Sequence, residues 1–258
     1  MKPIIKWSGG KADEISQFQE YFPDAYDRYI EPFLGGGALY FSLNPDKAVV
    51  NDVHPELVAL YRQVGGGHGP EIYEWMAQKE FTEEEYYTVR SSEPVTEFET
   101  ACRFYYLRKT CYRGMLRYNR SGGFNVPWGR YKRIAYEEVK DDGYRDLLGR
   151  SEVYCKDFRD IMADAKEGDF VFLDPPYDSV FTDYGYCSFG KQDHEDLAAL
   201  FKESEAKCCM VIGDTPLIRK LYAGYIKHEY PKKYRFRLHS DRINSSNIDN
   251  KHLVICNY

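Results

Sequence analysis

The stretch Phe170-Val-Phe-Leu-Asp-Pro-Pro-Tyr177 restricts the possible folds of this chain more than any other segment. Four apolar residues in a row, all aromatic or branched, read as a strand buried on both faces, and such strands belong in the interior of a parallel sheet. Two prolines then end the strand, because each fixes φ and lacks an N–H. An acid is thereby delivered to the carboxyl end of a central strand, where open α/β sheets bind their ligands. Runs of similar character fall at Arg28–Ile30, Ala48–Val50, Val153–Cys155, Cys208–Ile212, part of Tyr225–Phe236, and His252–Cys256. Helical spacing separates them over Ala12–Phe22, Glu56–Val64, His194–Ser204 and Leu217–Tyr222. The alternation predicts an α/β fold with a mostly parallel sheet of about seven strands covered on both faces.

That rhythm breaks between residues 65 and 150. At 258 residues the chain is long enough for a core domain carrying a smaller insert. The break predicts a sheet domain made of 1–64 and 150–258, with 65–149 inserted as a mainly helical domain. Within the insert, Glu83–Val89 follows a Thr82-x-x-Glu85 capping pattern and Glu97–Cys111 follows Thr96-x-x-Glu99, with Glu71–Gln78 ahead of both. The basic, aromatic stretch Arg117–Arg133 reads as a hairpin or loop, and Gly65-Gly-Gly-His-Gly-Pro70 as a flexible joint.

Charge is distributed unevenly. The net charge is −6, yet Ala101–Tyr136 contains no Asp or Glu and nine basic residues. A second basic cluster is Lys232-Lys-Tyr-Arg-Phe-Arg237. On charge alone this is either a solvated face or a phosphate-facing one; its coincidence with the insert favours nucleic acid. No apolar run approaches the roughly 18 residues that span a bilayer. Met1-Lys-Pro-Ile-Ile-Lys-Trp7 turns polar too soon for a signal peptide, and seven cysteines without CxxC pairing suit reduced thiols in a cytosol, with neither a disulfide frame nor a zinc site.

Arg28-Tyr-Ile-Glu-Pro-Phe-Leu-Gly-Gly-Gly-Ala-Leu-Tyr-Phe41 reads as strand, glycine turn and helix, and Val49-Val-Asn-Asp52 as a second strand ending in an acid. Glycines at 35 to 37 let the backbone approach a ligand closely, and an acid in that place accepts hydrogen bonds from ribose hydroxyls. A dinucleotide fingerprint would need glycine where Tyr40 stands. S-adenosylmethionine, which has a ribose and no phosphate, suits the pattern better.

Asp174-Pro-Pro-Tyr177 fits the methylation of an exocyclic amine. Such a nitrogen is a poor nucleophile, because its lone pair is delocalised into the ring. The Asp174 carboxylate and the Pro175 carbonyl, each accepting one of its hydrogens, would draw it toward a tetrahedral form that attacks a methyl group in line. Pro176 stiffens the turn, and Tyr177 offers a flat face to an unstacked base, worth about 1–3 kcal/mol. The competing reading is an ordinary strand-to-loop turn with Tyr177 in the core.

With these motifs in place, the chain resembles the Dam-type DNA adenine-N6 methyltransferases, which join a Rossmann-like catalytic domain to an inserted DNA-recognition domain. The resemblance spans nearly the whole chain through Lys6-Trp-Ser-Gly-Gly-Lys11, Glu31-Pro-Phe-Leu-Gly-Gly-Gly37, Asn51-Asp52, Arg117-Tyr-Asn119, Phe124-Asn-Val-Pro-Trp-Gly-Arg-Tyr131, Lys156-Asp-Phe158, Asp174-Pro-Pro-Tyr177 and Asn244-Ser245. It implies that Trp7, Lys11, Phe33, Gly35, Gly37, Asp52, Asp157 and Phe158 shape the S-adenosylmethionine site. On their own, Trp7 reads as a core tryptophan and Lys11 as a surface lysine at a helix start. The resemblance further implies that Asp174, Pro175, Pro176 and Tyr177 hold a flipped adenine. Lys6, Tyr112, Arg117, Asn119, Asn125, Pro127 and Arg130 would meet DNA, with Arg117 reading a guanine. The implied partner is double-stranded DNA, with no metal and no membrane. The implied enzyme is a monomer of a bacterial or phage-infected cytoplasm, accompanied in some settings by a cognate restriction nuclease that acts separately.

Arg113-Gly-Met115 replaces the Asn-Gly-Leu common in that family, and Trp128 replaces Phe or Tyr. Both lie in the recognition region, so the family's frequent target GATC is an expectation. An RNA adenine or DNA cytosine-N4 methyltransferase, or a DNA-binding protein without turnover, stays open as an alternative.

Overall fold

Phe170, Val171, Phe172 and Leu173 are all buried, and the strand they form is the fourth of seven in a single sheet. The computed structural model describes residues 1–178, 188–232 and 251–258. Its strands are β1 (Arg28–Glu31), β2 (Ala48–Asn51), β3 (Ser151–Tyr154), β4 (Asp169–Leu173), β5 (Lys207–Gly213), β6 (Ile226–Pro231) and β7 (Lys251–Cys256), in the order β3-β2-β1-β4-β5-β7-β6. Every strand expected from the sequence is present. Strands β1 to β5 run parallel, and β7 is antiparallel to both of its neighbours.

Alternate residues of each strand feed two cores. Tyr29, Val50, Phe170 and Phe172 face one, while Ile30, Val49, Val171 and Leu173 face the other, as the two-residue repeat of a strand requires. The second core is closed by α8 (Phe158–Ala163), α9 (Lys191–Glu203) and α10 (Pro216–Leu221). The first is covered by α1 (Ile15–Phe18), α2 (Ala38–Leu43), α3 (Pro55–Gly65), α4 (Gly69–Ala77), α5 (Glu83–Ser91), α6 (Glu97–Thr110) and α7 (Asp142–Gly149). Its apolar contacts run without a break from the sheet to Met76, Tyr86 and Phe104, deep in the segment between β2 and β3. At the amino ends of β1 and β4, Arg28 grips the buried Asp169 through two hydrogen bonds, of 2.8 and 3.1 Å, which fixes their register.

Two local expectations are modified. Ala12–Phe22 is not one helix but a single α-turn followed by a 3₁₀ turn, because Lys11 and Glu14 are drawn into the protein by distant partners. Thr96 and Glu99 form a complete capping box. Thr82 caps α5 in the same way, but the Glu85 carboxylate turns instead to Lys79, 3.1 Å away. After α6 the chain makes the expected hairpin, with bridges Cys111 to Trp128 and Tyr118 to Phe124. Among the described residues, no helix is long and apolar enough to cross a membrane. Lys233–Arg237 of the second basic cluster, and Asn244-Ser245, lie outside the described residues.

The glycines of the expected joint serve close packing. A Cβ on Gly65 would sit 2.9 Å from the backbone of Leu148 in α7, and one on Gly69 would sit 2.1 Å from the carbonyl oxygen of Val139. Gly69→Ala therefore forces backbone apart and should cost about 1–3 kcal/mol. Denaturant unfolding would register this as a lower midpoint at unchanged slope, whereas an unchanged midpoint would show that the two segments separate freely.

Candidate active site

Strand order reverses between β1 and β4, since β1 leads outward to β2 and β3 while β4 leads to β5. The crevice at such a switch point, beyond the carboxyl ends of the strands, is where ligands of doubly wound sheets sit. The glycine turn follows β1 and Asp174 follows β4, so both motifs open on it. They share one cavity of about 1140 Å³ counting its open mouth. All twelve residues expected at the catalytic and cofactor positions line it: Trp7, Lys11, Phe33, Gly35, Gly37, Asp52, Asp157, Phe158, Asp174, Pro175, Pro176 and Tyr177.

Asp174 retains only a fifth of its exposure, and burial raises its pKa. The Lys11 ammonium, 2.5 Å from Oδ1, opposes that shift. Lys11 is itself 2 % exposed and gives a further hydrogen bond to the Gly9 carbonyl, so it is no surface lysine. Oδ2 remains to accept another hydrogen. Glu31, at the end of β1, also lines the cavity; burial pushes its pKa up to about 8, although Tyr29 donates to it at 2.6 Å. Asp52 is lifted by burial to about 6, while the N–H groups of Gly35 and His54 bond one oxygen each, at 2.8 and 2.9 Å. Each oxygen keeps a lone pair for a hydroxyl group.

The glycine turn departs from expectation in one respect. A Cβ on Gly35 or Gly36 would lie 2.7 Å from Trp7, so much of the room these glycines leave is filled by that indole rather than by a ligand. Gly37 starts α2 in the left-handed region, φ +66°, which favours glycine. Opposite the turn, Phe33, Phe158 and Phe189 form a cluster with ring centres 5.4 to 5.7 Å apart. Asp157 caps α8 through the Arg159 N–H and is half exposed at the rim.

None of the seven residues expected to meet DNA lines this cavity. Arg117 and Asn125 pair across the hairpin: the guanidinium gives Nε to the Asn125 side chain at 2.6 Å and Nη2 to its carbonyl at 2.8 Å. This holds one edge of the fork and leaves the Nη1 edge pointing elsewhere. Tyr112 is exposed and hangs from the Pro127 carbonyl by its N–H. The Asn119 side-chain Oδ1 organises the tip of the hairpin by accepting from the N–H groups of Ser121 and Gly123. Arg130 is exposed at φ +54°, and Lys6 lies beside Gly114. Two partly buried polar links tie the hairpin to the body of the protein. Tyr118 bonds His54 at 2.8 Å and also Glu56, while Arg108 joins the carbonyls of Met115 and Lys6 and lies over Trp7.

Glu31 and Phe189 also line the cavity and were not expected there. Glu31 stands inside the glycine-turn motif and was legible there. Phe189 looks like an ordinary core residue until the fold brings it close.

Residues 7–237 match the model of the D12 class N6 adenine-specific DNA methyltransferase family. The chain is 52% identical over 261 residues, the full length of both proteins, to the type II methyltransferase M.CviBI of Paramecium bursaria Chlorella virus NC1A. It is 34% identical to the type II methyltransferase M1.LlaDCHI of Lactococcus lactis subsp. cremoris, over 89% of this chain and 87% of the relative. It is 33% identical to the retron Ec67 DNA adenine methylase of Escherichia coli, over 88% and 83% respectively.

Lys11→Met would leave the Asp174 carboxylate buried without its cation, a loss worth about 3–5 kcal/mol. Asp174 should then keep its proton to a higher pH. Difference infrared spectroscopy across a pH titration is expected to show a carboxyl band that persists to higher pH in Lys11→Met than in the wild-type protein and that disappears when Asp174→Asn is added; a band that does not move would mean that Lys11 does not hold the charge.

Proposed function

This chain belongs to the D12 class of N6 adenine-specific DNA methyltransferases, and from that premise we propose that it moves the methyl group of S-adenosylmethionine to an adenine turned out of duplex DNA. One observation carries the reading: Asp174 and the glycine turn open on the same cavity, so a methyl donor and a single extruded base can meet there.

The lining suits such a donor. Asp52, Asp157, Asp174 and Asp193 outnumber Lys11 and Lys156, which favours a ligand of net positive charge. The donor supplies an activated sulfonium methyl. Asp52 would accept the ribose hydroxyls, Phe33 and Phe158 would receive the adenine ring of the donor, and Trp7 would hold the glycine turn against it. Asp174 Oδ2 and the Pro175 carbonyl would each accept one hydrogen of the target N6. Lys11 favours the ionised form of Asp174 and aims it, and the carboxylate would stabilise positive charge as it builds on N6. Tyr177 would stack on the base and offset part of the cost of unstacking. Pro176 gives the turn no competing donor.

Residues 65–149 would serve as the recognition insert on a catalytic body made of 1–64 and 150–258. The Nη1 edge of Arg117, steadied by Asn125, would read guanine O6 and N7, while Lys6, Tyr112, Asn119, Pro127 and Arg130 surround the duplex and position it. GATC is the first target to test.

Radiolabelled S-adenosylmethionine offered with duplex DNA, single-stranded DNA and RNA should label duplex DNA at adenine N6; preferential labelling of RNA would sink the proposal. Asp174→Ala is expected to lower the rate of transfer by about 10²–10³ with donor affinity retained. Arg117→Ala is expected to cost about 1–3 kcal/mol of discrimination at one guanine, read as a relaxed methylation pattern in sequenced genomic DNA. An equal loss on every sequence would instead make it a phosphate contact.

A further inference from the structure

We propose that Glu14 and His252 are a buried pair of positioning residues that fix the ring of Tyr177; this rests on the reading of Tyr177 as the platform for the target base. His252 lies on β7 opposite Gly213 at the end of β5, and its side chain is 2 % exposed. Its Nδ1 is 2.7 Å from Glu14 Oε2, and its Nε2 is 3.3 Å from the Tyr177 hydroxyl. The two rings meet edge to face, with centres 5.3 Å apart. Glu14 is just as constrained, because Oε2 also accepts from the Tyr230 hydroxyl at 3.0 Å and Oε1 pairs with the Lys232 ammonium. Burial raises the Glu14 pKa, but the hydrogen bonds from His252 and Lys232 more than reverse this, and it falls to about 2.

This arrangement answers a need of the site. Pro175 and Pro176 set the backbone ahead of Tyr177 but leave its side-chain torsions free. A stacking platform that rotated would have to be ordered at every turnover, and misplacements of the order of 1 Å are costly in rate. Among the described residues, Lys11 Nζ lies 5.1 Å from the ring centre and His252 meets the hydroxyl, while Gly213 leaves room for one edge, where a Cβ would lie 3.3 Å from Cδ2. Lys11 and Glu14 come from one short segment, so that segment governs both ends of Asp174-Pro-Pro-Tyr177, the carboxylate directly and the ring through His252. A buried acid and imidazole cost desolvation that an apolar pair would avoid, and geometric control is the return.

The test is a double-mutant cycle in single-turnover transfer to the site that genomic sequencing identifies. His252→Asn keeps an amide nitrogen where Nδ1 bonds Glu14 and deletes the contact to Tyr177, while Tyr177→Phe deletes it from the other side. Each should slow transfer about fivefold to tenfold, the loss of one oriented hydrogen bond, with donor affinity unchanged. The double variant should be no slower than the slower single. A duplex carrying 2-aminopurine at the target should show weaker quenching on binding in His252→Asn, as a loosened platform would give. Losses that multiply, or transfer by Tyr177→Phe at the wild-type rate, would overturn the pairing. Should His252→Asn not fold, Tyr177→Phe decides by the same rate criterion. Tyr177→Ala separates the two levels: if it transfers normally, the platform reading itself fails, whereas a slow Tyr177→Ala with multiplying losses removes only the role of Glu14 and His252.

Discussion

The ion pair between Lys11 and Asp174 is the contact on which the rest of this site depends. Burial disfavours the charge on the Asp174 carboxylate and a neighbouring cation favours it, and the cation must leave one oxygen available for chemistry. Lys11 meets both conditions from Oδ1 at 2.5 Å. To bring it there, the amino-terminal segment is drawn across the carboxyl ends of β1 and β4, and its other residues find partners along the way. Trp7 seals the glycine turn, the Lys6 carbonyl accepts from Arg108, and Glu14 reaches His252. A segment of nine residues therefore touches the glycine turn, Asp174 and the root of the hairpin.

The topology explains why these parts can meet. Reversal of strand order at β1 and β4 opens the crevice, and the motif-bearing loops leave those two strands next to each other. The hairpin is attached from the other direction, through partly buried polar contacts rather than a free linker. Tyr118 is held by His54 and Glu56, and Arg108 spans from Met115 to Lys6. Groups that would read DNA are thus set at a fixed distance from the reacting centre, which an in-line transfer requires.

Much of this was legible because the decisive signals are local. Apolar runs such as Phe170–Leu173 specify buried strands by composition alone, Thr96 and Glu99 mark a helix start within four residues, and Asp174-Pro-Pro-Tyr177 declares its turn and its acid together. What escaped depends on contacts between distant positions. The helix expected over Ala12–Phe22 shrinks because Lys11 and Glu14 are needed 163 and 238 residues away along the chain. The glycines at 35 and 36 were read as space for a ligand, but Trp7, well outside that motif, fills the space. Glu85 had the right spacing for a capping box, yet Lys79 offers its carboxylate an opposite charge at 3.1 Å. Gly65 and Gly69 looked like a joint, whereas the backbones of Leu148 and Val139 pack against them.

Whether one cavity brings the methyl donor and an extruded adenine together at Asp174 would be decided by a crystal structure of the protein with S-adenosylhomocysteine and a duplex containing its target. The target adenine should lie outside the helix, with N6 within hydrogen-bonding distance of Asp174 Oδ2 and the Pro175 carbonyl, its ring against Tyr177, and Lys11 still on Oδ1. An adenine left stacked in the duplex, or a donor product bound away from the crevice between β1 and β4, would contradict this arrangement.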